Sequence, residues 1–220
     1  MFLAHFAVAM AAKKLTPKTN LGLLFIGGQF LDLLWPFLLL LGVERMAVDP
    51  GNTVLTPLDF YDYPISHGLL SVTLMSLVVG VITFVLRRDR REATVLAALV
   101  VSHWVLDLLV HRPDLPIVGN DSAKLGLGLW NEPVIAILLE ALFFATGLYV
   151  YYSGSKAKDR TGTYVPAINF VMLALIYIAN IMGPPPPNEM AVAISALGLW
   201  LFVGLAAWGD NHRLWGLGKL

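Results

Sequence analysis

Six stretches of this chain stay apolar long enough to cross a lipid bilayer, and no other feature narrows its fold as much. They cover residues 21–43, 66–86, 93–110, 129–152, 165–182 and 190–207. Each is roughly 18 to 24 residues long, close to the ~20 that an α-helix needs for a ~30 Å hydrocarbon core. Inside lipid every backbone N–H and C=O must find a partner within the chain, so such stretches fold as helices. The expected fold is all-α, a polytopic helical membrane bundle of about six transmembrane helices, with residues 1–220 forming a single integral membrane domain.

Composition agrees. With 57% hydrophobic and 14% charged residues, the chain is too poor in charge for a soluble domain of its length. A net charge of zero argues against nucleic acid as a partner. Membrane lipids and a small-molecule or lipid substrate are the expected partners. No cysteine is present, so any metal must be held by imidazole and carboxylate.

The opening segment, MFLAHFAVAMAAKK, has its lysines after the apolar run, the reverse of a signal peptide's charge order, and is expected to stay on the mature protein. It is too short to span, which predicts a short N-terminal helix that is re-entrant or partly inserted. Twelve of the fifteen Lys and Arg residues fall in the loops on one side, among them Lys13, Lys14, Lys18, the run Arg87 to Arg91, Lys156, Lys158 and Arg160. Only Arg45, Arg112 and Lys124 fall opposite. By the positive-inside rule the lysine hairpin and the C-terminus are expected on the cytoplasmic side of a multi-pass membrane protein. No internal repeat and no clearly discontinuous helix stands out.

Ionisable residues inside such spans are costly and need an explanation. Asp32 lies within GGQFLDLLWP, His67 opens the second span, and SHWVLDLLVHRPD carries His103, Asp107 and His111 four apart, on one helical stripe. At ~1.5 Å per residue, His103 lies roughly 17 Å and Asp107 about 23 Å above the inner arginines. Asp32 and His5 fall near the height of His103. The five residues His5, Asp32, His67, His103 and Asp107 therefore line a polar shaft that opens outward. Imidazole with carboxylate suits Zn²⁺, Mn²⁺ or Fe²⁺, and three protein ligands plus a water make a catalytic ion. His111, Asp62 and Glu132, near the outer surface, are candidates for general acid/base work or for orienting the ligands. A hydrogen-bonded packing pair at His103 and Asp107 is the plainer alternative.

These positions resemble a known group. An early His, an Asp in the first long span, SHGLL and SHWVLD are similar to the bacterial inner-membrane metal-dependent hydrolases, a family also described as LexA-binding. The likeness covers roughly the first 130 residues, with HRPDLP and KLGLGLWN resembling one of its branches. A more distant similarity is to zinc-dependent phospholipase C and S1/P1 nuclease, which pair His-x-x-x-Asp with an earlier Asp and several His. Where the family often has a His five residues before His67, this chain has Asp62, and the closing His-x-x-x-Glu pair of the distant group is absent. The resemblance implies one or two divalent ions, zinc first, and hydrolysis of an ester or phosphoester, lipid included, from the periplasmic side. A proton or divalent-cation pathway, and a structural or regulatory membrane protein, are the alternatives.

Overall fold

The computed structural model describes residues 1–216. Its helices, in chain order, are α1 (Leu3–Ala12), α2 (Leu21–Gly28), α3 (Phe30–Leu40), α4 (Leu69–Arg87), α5 (Arg90–Val110), α6 (Pro133–Gly154), α7 (Arg160–Met182), α8 (Glu189–Ala196) and α9 (Leu199–Asn211). Three antiparallel ribbons join them: β1 (Arg45–Val48) with β2 (Leu58–Asp62), β3 (Leu115–Pro116) with β4 (Lys124–Leu125), and β5 (Ser155–Ala157) with β6 (Arg213–Trp215). The sequence marks the first two regions only as turn-rich loops; the pairing comes from the tertiary fold.

Four helices, α4 to α7, and the α8–α9 pair taken together are long and apolar enough to cross a membrane. Much of their apolar surface faces outward: Leu77 is 60% exposed, Val81 62% and Leu138 63%. Contiguous apolar surface of this kind belongs against lipid rather than water.

The stretch 21–43 departs from expectation. It is not one helix but two, α2 and α3, bent by 61°. Gly27 and Gly28 end α2, and Gln29, at φ −107° and ψ 12°, leaves helical geometry. Pro36 then adds a second weakness, because it has no N–H to give the Asp32 carbonyl four residues back. The last span only tightens to i→i+3 bonding at Leu197 and Gly198, which keep right-handed helical geometry. One clearly discontinuous span, α2–α3, is thus present.

The short helix α1 also differs from a loosely inserted segment. Eight of its ten residues are buried, and it packs against α6, α2, α5 and α7 at the centre of the bundle. Small residues make this possible, as at helix contacts in membrane bundles generally. A Cβ on Gly147 of α6 would lie 2.7 Å from Ala7 Cα, and one on Gly28 would lie 2.9 Å from the His5 carbonyl oxygen. Glu140 of α6 accepts from the backbone N–H of Phe2 at 2.6 Å and of Ala4 at 2.8 Å. The first turn of α1, whose amides lack helical partners, is thereby capped by a carboxylate on a neighbouring helix.

The two ends of the bundle differ in charge. Loops α1–α2, α4–α5 and α6–α7 gather the basic residues at one end, and the β1–β2 and β3–β4 ribbons lie at the other. Lys13 is not a surface charge, however. It is buried, ion-paired with Asp210 and hydrogen-bonded to the Thr19 carbonyl at 2.5 Å. Asp210 also accepts from the Leu21 N–H, Tyr151 and Trp215, so it ties α1, α2, α6 and α9 together at the basic end.

The close α1–α6 contact predicts an asymmetric response to added methyl groups. Gly147→Ala should destabilise the fold by about 1–3 kcal/mol through overpacking against α1. Gly204→Ala, where a Cβ meets nothing within 4 Å, should be neutral or stabilising by up to ~1 kcal/mol. Thermal unfolding in detergent distinguishes them, and equal effects would contradict the central placement of α1.

Candidate metal centre

Four elements deliver the polar side chains to one place. His103 and Asp107 lie one turn apart on α5 and are buried. Asp32 sits in the first turn of α3, where the positive end of the helix favours a carboxylate. His67 precedes α4, and His5 comes from α1. The stripe on α5 holds only as far as Asp107. Helix α5 ends at Val110, and His111 turns into extended geometry as its C-cap, ahead of Pro113.

The hydrogen bonds settle which imidazole nitrogens carry protons. His103 Nδ1 is 2.8 Å from the Gly28 carbonyl oxygen. A carbonyl only accepts, so Nδ1 holds the hydrogen and Nε2 of the neutral ring is bare. His67 Nδ1 is 2.7 Å from Ser66 Oγ, and that hydroxyl gives its single hydrogen to Glu44 Oε2 at 2.6 Å. Ser66 Oγ must therefore accept from His67, which leaves His67 Nε2 bare too. Glu44 is itself fixed by the backbone N–H groups of Ile65 and Ser66, both at 2.7 Å.

Both bare nitrogens face carboxylates. His103 Nε2 lies 3.1 Å from Asp107 Oδ2 and 3.6 Å from Asp32 Oδ1. His67 Nε2 lies 3.6 Å from Asp32 Oδ1 and 3.8 Å from Asp107 Oδ2. His103 Nε2 is buried and has no hydrogen-bond partner. With both rings neutral, these two nitrogens offer lone pairs beside the carboxylates of Asp32 and Asp107. Ligands ~2.0–2.2 Å from a tetrahedral ion stand ~3.3–3.6 Å apart, and Asp32, His67 and His103, whose ligand atoms lie mutually within 4.8 Å, form a set close enough for one divalent cation. The charge fits as well: Asp107 is buried and Asp32 26% exposed, and a cation would offset the cost of desolvating them beyond what the Met1 nitrogen does for Asp107.

His5 occupies a different position. Its Nε2 is 3.0 Å from the other oxygen of Asp107, Oδ1, and its ring stacks on His103 at 3.6 Å and 4°. The main-chain nitrogen of Met1 also contacts Asp107 Oδ1. Two groups have ligand atoms mutually within 4.8 Å: Asp32–His67–His103 and His5–His103–Asp107. Both need His103, whose Nδ1 is committed to Gly28, so the two sets compete for one nitrogen.

The other three candidates separate. His111 is buried and bonds Asp114 Oδ1 through Nδ1 at 2.9 Å, while Tyr63 donates to the same oxygen at 2.7 Å. Burial first, and the Asp114 carboxylate second, push the Tyr63 phenol well above its ordinary range, so it remains a donor. His111 lines the same cavity as Asp32, His67 and Asp107. Asp62 lies half-buried at the end of β2, opposite Arg45. Glu132 is exposed ahead of α6. Neither lines that cavity.

Glu44, Ser66, Gly28 and Asp114 shape the centre although the sequence reading passes over them as functional residues. Glu44 looks like one acid among several in a loop. Asp114, three residues after His111 across a proline, carried a usable signal in HRPDLP.

The cavity has a volume of about 580 Å³. Its polar end is formed by Asp32, His67, Asp107 and His111, and the remainder is mainly apolar, with Trp35, Phe60, Trp130, Met172 and Phe202 among its walls. No protein-family model, curated protein or solved structure matches the chain.

The tautomers are directly measurable. Nitrogen-15 NMR of histidine-labelled protein near neutral pH should show both His67 and His103 protonated at Nδ1. Ser66→Ala should remove that preference at His67 alone. An Nε2–H tautomer at either ring in the wild type would refute the hydrogen-bond assignment.

Proposed function

We propose that the protein is a membrane-embedded, metal-dependent hydrolase of the bacterial inner membrane, with its centre served from the periplasmic side. The observation that carries this reading is the approach of His67 Nε2 and His103 Nε2 to Asp32 Oδ1 and Asp107 Oδ2, at 3.1–3.8 Å. The resemblance of these positions to the inner-membrane hydrolase family points the same way. One ion, zinc first, is preferred over two, because His103 has a single nitrogen to offer.

Such an ion supplies Lewis acidity toward water and toward an ester or phosphoryl oxygen. The chain's own groups do the rest. Ser66 with Glu44, and the Gly28 carbonyl, orient the two imidazoles and raise their basicity as ligands. His5 orients Asp107 from behind. His111, with Nδ1 turned to Asp114, presents Nε2 as the nitrogen placed to exchange a proton with a leaving group in the cavity.

A second reading has one observation in its favour. The α2–α3 break lies three residues from Asp32, and ion pathways are often built at broken helices. Divalent-cation or proton flux into proteoliposomes that depends on Asp32, without hydrolysis, would replace the hydrolase reading with this one.

Wild-type protein prepared without chelator should carry about one equivalent of a transition metal by mass spectrometry. His103→Ala and Asp107→Ala should lose it, and Ser66→Ala should bind it roughly 10–100-fold more weakly. Retention of stoichiometric metal in both alanine variants would sink the site. The wild type should cleave aryl esters or phosphodiesters, and the metal-free variants should not. Since the chain has no native cysteine, orientation is equally testable. A membrane-impermeant maleimide should label Val54→Cys in intact cells, and Lys156→Cys only after permeabilisation.

A further inference from the structure

The cavity beside the centre has an opening whose position narrows what enters it. Among its lining residues, those that are exposed are Ala179, Asn180, Pro184, Ser195, Gly198 and Leu201. All lie on the last turns of α7, the connector after it, or the α8–α9 junction. The opening is thus on the flank of the bundle, beside the outward-facing apolar residues Leu175, Ile178 and Ile194.

At the hairpin end the cavity is lined instead by Leu55, Thr56, Pro57 and Leu58 between β1 and β2. That loop is tied down, with the Leu55 N–H donating to the Trp130 carbonyl at 3.1 Å and the Val54 N–H to Asn131 Oδ1 at 3.3 Å. The junction at Leu197 and Gly198 contributes Gly198, a residue without a side chain, to the mouth. From there, Met172 and Ile176 on α7 and Leu199 and Phe202 on α9 line an apolar path inward. The polar groups His67, Asp107 and His111 stand at its inner end.

We propose that this centre acts on a membrane amphiphile with one acyl chain, which enters sideways between α7 and the α8–α9 junction. The chain lies along Met172, Ile176, Leu199 and Phe202, and the ester or phosphoester head reaches His67, Asp107 and His111. This rests on the hydrolase reading for the word substrate, but the binding site stands on the cavity alone. Three observations favour an amphiphile over a water-soluble ester: the flank opening, the apolar walls, and the confinement of charge to one end. The volume of about 580 Å³ falls within the roughly 300–1,000 Å³ of pockets that hold one drug-sized ligand, a molecule smaller than a two-chain lipid.

The test uses the full-length protein in dioleoylphosphatidylcholine nanodiscs containing a trace of lysophosphatidylglycerol with a diazirine near its chain end. After photolysis, adducts should concentrate on the peptides bearing Met172, Ile176, Leu199 and Phe202, against a large excess of two-chain lipid. Unlabelled lysophosphatidylglycerol should displace them. A bulky side chain that fills the apolar path takes the place of the acyl chain and should lower labelling of these peptides. Ile176→Trp tests the interior, and Ser195→Trp tests the exposed rim in case the interior variant fails to fold. Leu77→Trp, on the outward face of α4 away from the cavity, should leave labelling unchanged.

Adducts spread evenly over all lipid-facing helices, α4 included, would overturn the proposal. So would labelling that survives both Ile176→Trp and Ser195→Trp. Metal content measured on the same samples separates the two readings. Confined, displaceable adducts on a wild type that holds no metal and cleaves nothing would uphold the amphiphile site and remove the hydrolase.

Discussion

Two carboxylates, buried Asp107 and partly exposed Asp32, face Nε2 of His67 and His103, and the rest of the structure is arranged around that electrostatic demand. A buried carboxylate without compensation costs several kcal/mol, more than most single contacts return. A helix N-terminus typically offsets about 0.3–1 kcal/mol of that, so the first turn of α3 does not suffice for Asp32. His5 Nε2 and the Met1 nitrogen meet Asp107 Oδ1, while His103 gives its Nδ1 hydrogen to Gly28 and His67 gives its Nδ1 hydrogen to Ser66. Asp32, His67 and His103 are left with ligand atoms mutually within 4.8 Å, close enough for one divalent cation.

The irregular parts of the fold serve this centre. The α2–α3 break turns the Gly28 carbonyl toward His103 and places Asp32 at a helix start. Helix α1, only ten residues long, begins beside Asp107 and carries His5 into contact with the His103 ring. Its close seating depends on glycine at positions 28 and 147, where a Cβ would strike α1 backbone atoms. Glu140 then fixes the first turn. At the far end of α1, Lys13 and Asp210 form a buried ion pair, braced by Tyr151 and Trp215. One short helix is thus held by a carboxylate at each end, which keeps His5 and Asp107 in register.

The stripe of His103, Asp107 and His111 shows what spacing can and cannot tell. Four-residue intervals placed His103 and Asp107 together correctly, because both lie inside α5. They failed for His111, because Pro113 ends the helix before that residue and its ring turns to Asp114 and Tyr63. Height counting brought His5, Asp32 and His103 to one layer, and the structure places them in contact distance. It had no means of finding Glu44, which lies in a loop in sequence yet reaches Ser66 through 2.6–2.7 Å hydrogen bonds. Asp62 and Glu132 were near in sequence height but lie outside the cavity, since no helix register carries them inward.

The sequence by itself determined the helical class, the long apolar segments and the residue types available for a site, because hydropathy over some twenty residues and the absence of cysteine act locally. Only the tertiary structure decided that the first span bends, that α1 lies at the centre, and which nitrogen of each imidazole faces the carboxylates. Those outcomes depend on contacts between residues far apart in the chain. Gly28 meets His5 and His103, Ser66 meets Glu44, and Ala7 meets Gly147. A pattern read along one helix records which face is apolar, but not which neighbour that face will meet.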